Sequence, residues 1–171
     1  MTLKAIEALV SIIFFSNKVG MLVGKKLGWI LGAIGALLSI VYFYFLDLRV
    51  YMVAELGLFV TMMYGVLVKE ENRKIEAGIL SSLFVIILVL TVFTFTGELT
   101  FFEFWSSAGM LAATYLLHPK NGAWKIKWGW TILAATHLGA AYIGYAKNQP
   151  MFPHYQIASA IVGVFGAIKK S

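Results

Sequence analysis

Runs of about 20 apolar residues, broken by short polar clusters, recur along the whole chain. A helix rises ~1.5 Å per residue, so a run of that length crosses the ~30 Å hydrocarbon core of a bilayer. The pattern predicts seven helices, at Leu3–Leu22, Gly28–Leu46, Val50–Val68, Ile75–Phe95, Phe101–Leu117, Trp128–Tyr145 and Phe152–Ile168. Between them lie Lys25-Lys26, Asp47-Leu48-Arg49, the charged run Lys69 to Lys74, Gly97-Glu98, His118 to Gly122, and Lys147 to Pro150, all turn or loop chemistry. Several runs are rich in Val, Ile and Phe, but none alternates with period two. An open sheet edge would also leave backbone groups unpaired in lipid, so strands are excluded. The first run carries Glu7, has no small-residue cleavage site and leads straight into the second, so it reads as a retained helix rather than a secretory signal.

Composition agrees with a polytopic membrane protein: 60% of residues are hydrophobic, 13% are charged and the mean hydropathy is +0.83. The net charge of +6 changes the picture only through its placement. Alternate loops and ends hold Lys25, Lys26, Lys69, Arg73, Lys74, Lys120, Lys125, Lys127, Lys169 and Lys170 on one side, against Lys4, Arg49 and Lys147 on the other. By the positive-inside bias this predicts an outside N-terminus and a cytoplasmic C-terminus in the cell (inner) membrane, with the lipid bilayer, not nucleic acid, as the partner of the basic residues. Lys18, about one turn from the inner end of the first helix, reads as snorkelling to the surface. The chain has no cysteine, so disulfides, thiolate metal sites and thiol nucleophiles are excluded. No P-loop, no nucleophile with a base and no metal-ligand spacing is present, so no enzymatic activity, cofactor or metal is expected.

A shift of 101 residues lays Gly28-Trp29 on Gly129-Trp130, Tyr44 on Tyr145, Glu55 on Gln156 and Tyr64-Gly65 on Phe165-Gly166 without a gap. Lys26 falls on Lys127 and Lys69 on Lys170, so both halves carry the same orientation. The expected architecture is all-α, with seven transmembrane helices in a 3+1+3 arrangement. A first triple-helix bundle (1–70) and a second (99–171) are parallel repeats, joined by a fourth helix (71–98) that inverts the chain. Such repeats hold a solute between the halves near the midplane.

The aromatic and glycine landmarks resemble the PnuC-type vitamin transporters. In the first half these are Gly28 to Gly32, Tyr42 to Phe45, Tyr51 and Tyr64-Gly65; in the second, Glu103, Tyr115 to Leu117, Trp124, Trp128, Tyr142 and Gly163 to Gly166. The chain departs from that family at Val66, where members carry Trp, and at Thr131 and Ala134, where they carry a polar Asn or Asp. The resemblance implies triple-helix bundles distantly like those of the SWEET sugar carriers, a homo-oligomer, and facilitated diffusion by alternating access of a nucleoside-like vitamin, nicotinamide riboside first, with thiamine, riboflavin or a sugar as alternatives.

Polar groups at bilayer depth are costly unless paired or functional, which singles out Glu55, its repeat mate Gln156, and His137 near the midplane. Trp105 and Trp130 lie deeper than the interfacial Trp29, Trp124 and Trp128 and are the expected walls for a planar ring. Asn17, Tyr64 and Thr131 complete the expected binding set. The competing function is a small structural or accessory membrane protein whose polar residues join helices; in that case these groups scatter over helix contacts instead of converging on one cavity.

Overall fold

The computed structural model describes residues 2–23, 26–67, 73–118 and 121–169. Its described residues form seven helices and no strand: α1 (Leu3–Leu22), α2 (Lys26–Phe45), α3 (Arg49–Leu67), α4 (Arg73–Phe93), α5 (Glu98–Leu116), α6 (Ala123–Ala146) and α7 (Phe152–Lys169). The first helix has the expected bounds, and the others depart by one to five residues at an end, α6 most. Helix α6 starts five residues before the expected Trp128: Lys125 and Lys127 interrupt the apolar run there, although the backbone is already helical. Helix α4 stops at Phe93 rather than Phe95. Beyond it the Thr96 amide donates to the Thr100 hydroxyl (3.2 Å), and Gly97 takes φ 126°, which side chains avoid. The basic residues Lys25, Lys69, Lys120 and Lys170, which carry much of the expected charge asymmetry, lie outside the described residues.

Consecutive helices pack in the order α1–α2–α3 and α5–α6–α7, and two seams, α1 on α7 and α3 on α5, close these six into a ring. Helix α4 lies outside it, against α3 and α5, with Leu83 against Gly57 and the Phe84 and Phe104 rings 6.1 Å apart. Close approach depends on small residues. At the α1–α2 crossing a Cβ on Gly20 would sit 2.8 Å from the Gly28 Cα.

The turns 46–48 and 147–151, with residues 94–97, occupy one end of the ring, termed the upper end. The first two are built alike. Asp47 and Asn148 both take φ 54°, the Leu48 amide donates to Phe43 O (3.0 Å) and the Gln149 amide to Gly144 O (2.9 Å). Asp47 N also donates to Tyr44 O (3.2 Å) and Asn148 N to Tyr145 O (3.0 Å), so each helix ends in a Schellman motif with an Asx residue in the left-handed position. The turns also touch one another: Lys147 Nζ donates to Leu46 O (3.2 Å) and the Tyr42 hydroxyl to Gln149 Oε1 (3.2 Å).

The distribution of side chains departs from that of a water-soluble domain at both the surface and the interior. Large apolar groups such as Ile12, Ile34, Leu56, Val92, Phe93, Phe101, Leu138 and Ile161 are exposed, while Glu7, Ser11, Asn17, Lys18, Ser39, Glu55, Ser106, Ser107, His137 and Gln156 are buried. Buried hydroxyls of Ser39, Thr61, Thr91 and Thr114 each donate to the carbonyl four residues earlier, as befits helices with little water around them. Three stretches, Leu3–Leu22, Leu27–Phe45 and Lys74–Phe93, are long and apolar enough to span a membrane.

Candidate functional site

Two carboxylates close the upper end of the ring. Glu7 of α1 is fully buried, and its Oε1 accepts from the Met151 and Phe152 amides, both at 2.7 Å. These are amides that the first turn of α7 leaves without helical partners. On the opposite seam Glu103 of α5 accepts from the Tyr51 amide (2.9 Å), in the first turn of α3. Each carboxyl oxygen accepts at the positive end of a helix dipole, where an acceptor is favoured. Glu103 follows Glu7 by 96 positions, and Phe152 follows Tyr51 by 101.

Below the carboxylates lies an aromatic layer. Phe43 stacks on Tyr51 with ring centroids 4.7 Å apart and meets Phe152 edge-on at 5.7 Å, and Tyr42 packs on Phe152 at 5.6 Å. All four side chains are at most 3% exposed.

Beneath this layer is a cavity of about 20 Å³ bounded by the ring helices. Its polar lining is Lys18 from α1, Glu55 from α3, Thr114 from α5, and Tyr155 and Gln156 from α7; Met21, Met62, Met110 and Leu117 form its lower wall. Glu55 Oε2 has no hydrogen-bond partner. Gln156 Oε1 is hydrogen-bonded to Nδ1 of His137, which stands behind it on α6. An amide oxygen only accepts, so Nδ1 carries the proton and the amide NH2 of Gln156 remains as a donor at the cavity wall. The volume is about that of one water molecule and far below the ~300 Å³ of a typical small-molecule pocket.

Of the expected binding set, Glu55 and Gln156 line this cavity and His137 orients Gln156 from behind. The others are placed elsewhere. Trp105 is 50% exposed on the outer face of α5, in a stripe with Phe101 and Ala112, because the helical phase that turns Glu103, Ser106 and Met110 inward turns it out. Trp130 is buried, but its indole lies directly over Gly166 as packing between α6 and α7. Thr131 is exposed and its hydroxyl donates to Lys127 O (3.0 Å). Asn17 Nδ2 donates to Gly28 O (2.7 Å) and so joins α1 to α2. Tyr64, half-buried near the lower end of α3, is not part of the cavity wall.

Lys18 departs from the snorkelling reading: it is only 6% exposed, with Nζ 5.9 Å from the Phe14 ring centroid at the cavity. Its signal is present in the sequence, since Glu7, Ser11, Phe14, Lys18 and Met21 share one helical face and three of the five are polar. Tyr155, Thr114 and the capping role of Glu7 were likewise missed.

The described residues hold no group of three or more metal-ligating side chains. What the cavity offers is a carboxylate, an ammonium, an amide donor and hydroxyls in an otherwise apolar enclosure, which suits reversible hydrogen bonding and charge pairing. Comparison with family models, curated proteins and solved structures finds no match for this chain.

Proposed function

We propose that the chain is an integral membrane carrier that moves a small polar solute through the ring of six helices by alternating access, without a covalent step. All seven helices span the bilayer in this reading, with the upper end outside. The observation that carries it is the convergence of Lys18, Glu55, Thr114 and Gln156, from four different helices, on one central cavity inside a bundle whose exterior is apolar. A polar solute leaving water needs such groups as replacements for its hydration. Two triple-helix bundles in parallel repeat are supported by the matched Schellman turns 101 residues apart. The reciprocal caps add to this, α1 reaching α7 and α5 reaching α3 as a two-fold axis along the membrane normal requires. The solute class proposed is a nucleoside-like vitamin, the class that the resemblance to PnuC-type transporters implies, with nicotinamide riboside its first member to be assayed.

The small cavity volume favours a second reading, a structural membrane protein whose polar groups only join helices. Thermal-shift measurements on the purified chain against nicotinamide riboside, thiamine, riboflavin and simple sugars, followed by uptake into vesicles, separate the two. The carrier reading requires a stabilising solute whose uptake falls at least tenfold on Glu55→Ala or Gln156→Ala. Normal uptake by both folded variants would leave the structural reading standing.

A further inference from the structure

The charged groups of the central cavity are unequally divided between its walls. Lys18 and Glu55 come from α1 and α3. The positions 96 and 101 residues later, Thr114 of α5 and Gln156 of α7, line the same cavity and are neutral. The cavity therefore has one wall with two ionisable groups facing one that only hydrogen-bonds.

Lys18 and Glu55 are 6% and 2% exposed, yet they are not closed on each other, for no ion pair within 4.0 Å joins them. A buried charge is strongly disfavoured unless it is paired at short range. Removing both would be cheaper for a bundle that needed only packing, since an apolar pair of similar size commonly stabilises as well or better. A ligand that reaches both groups supplies the missing partners. A lone cation at Glu55 would lie near the Lys18 ammonium, and a lone anion at Lys18 would lie near the Glu55 carboxylate, in surroundings where like charges repel strongly. A molecule carrying both signs meets a complementary group at each end.

Resting on the carrier reading above, we infer that the cavity selects a zwitterion, with the anionic group of the solute at Lys18, its cationic group at Glu55, and its uncharged polar groups on Gln156 and Thr114. His137 is a positioning residue here, because its bond to Gln156 Oε1 leaves the amide NH2 as the donor. Among pyridinium nucleosides this picks the one with a ring carboxylate, of net charge zero, over the one with a ring carboxamide, of net charge +1.

The experiment is calorimetric titration of the full chain in detergent with four probes: the carboxylate and carboxamide pyridinium nucleosides, uridine as an uncharged nucleoside, and alanine as a zwitterion without a nucleoside. The carboxylate nucleoside is expected to bind at least tenfold more tightly than the carboxamide. Lys18→Met should abolish or invert that ratio, and Lys18→Arg should retain it. Equal or tighter binding of the carboxamide to the unaltered chain overturns the inference while leaving the carrier reading intact, and this comparison needs no variant to fold. A tenfold ratio that survives in monodisperse Lys18→Met also overturns it. Binding of alanine with neither nucleoside supports selection of zwitterions and removes the vitamin as substrate. Failure of all four probes overturns both this inference and the nucleoside carrier.

Discussion

Glu7 stands within an apolar run where an ionised carboxylate is costly, and the two amides it accepts are what make the position tolerable. Glu7→Ala leaves those amides without a partner in a buried place, and we expect a loss of about 2–3 kcal/mol, read as a lowered unfolding temperature in detergent. Glu7→Gln keeps an acceptor oxygen and should recover about half of it. Trp130 over Gly166 predicts the opposite kind of failure. Gly166→Val forces overpacking at a cost of about 1–3 kcal/mol, and Trp130→Leu in the same chain should restore part of it, a coupling that a double-mutant cycle measures. Hydropathy and depth singled out Glu55, His137 and Gln156, because each is a polar residue more than a turn inside an apolar run. The same signal misplaced Trp105 and Thr131. Depth along a helix says nothing of rotation about it, and only the phase of their neighbours turns these two outward.

Among the elements, the two Schellman turns depend on Asp47 and Asn148 in the left-handed region. A β-branched residue is strained there, so Asp47→Val and Asn148→Val should each destabilise by about 1–2 kcal/mol, and glycine at either site should be neutral or slightly stabilising; equilibrium unfolding of the four variants checks both signs. Helix α4 has few such constraints. Nothing lies within 4 Å of a Cβ built on Gly78, so Gly78→Ala should cost nothing and gain a fraction of a kcal/mol from helix propensity. All seven helices were legible because an apolar run of about 20 residues has a length that only a helix fits. Their ends were less so, as in α6, whose first turn belongs to the helix although Lys125 and Lys127 break the apolar run there.

At the level of the whole molecule, the caps and aromatic layer divide a sealed upper end from a lower wall of Met and Leu. The chain has no native cysteine, so one introduced at Thr114, which lines the cavity below the aromatic layer, reports on the seal without altering it. We expect it to resist a membrane-impermeant thiol reagent added on the side of the upper end, and to react at least tenfold faster once Glu7 and Glu103 are both changed to Ala. The reciprocal caps could not be read beforehand, since the 101-residue offset that pairs α3 with α7 slips to 96 for α1 and α5, and Glu7 does not fall on Glu103 in a single ungapped shift. The seal has a kinetic meaning as well. In the carrier proposed above, the hydrogen bonds of the two caps join protein to protein, so the energy needed to part them does not depend on what is carried. If that parting limits the cycle, solutes that differ widely in half-saturating concentration should converge on one maximal velocity, and a weakened seal should raise that common ceiling without changing their order of preference.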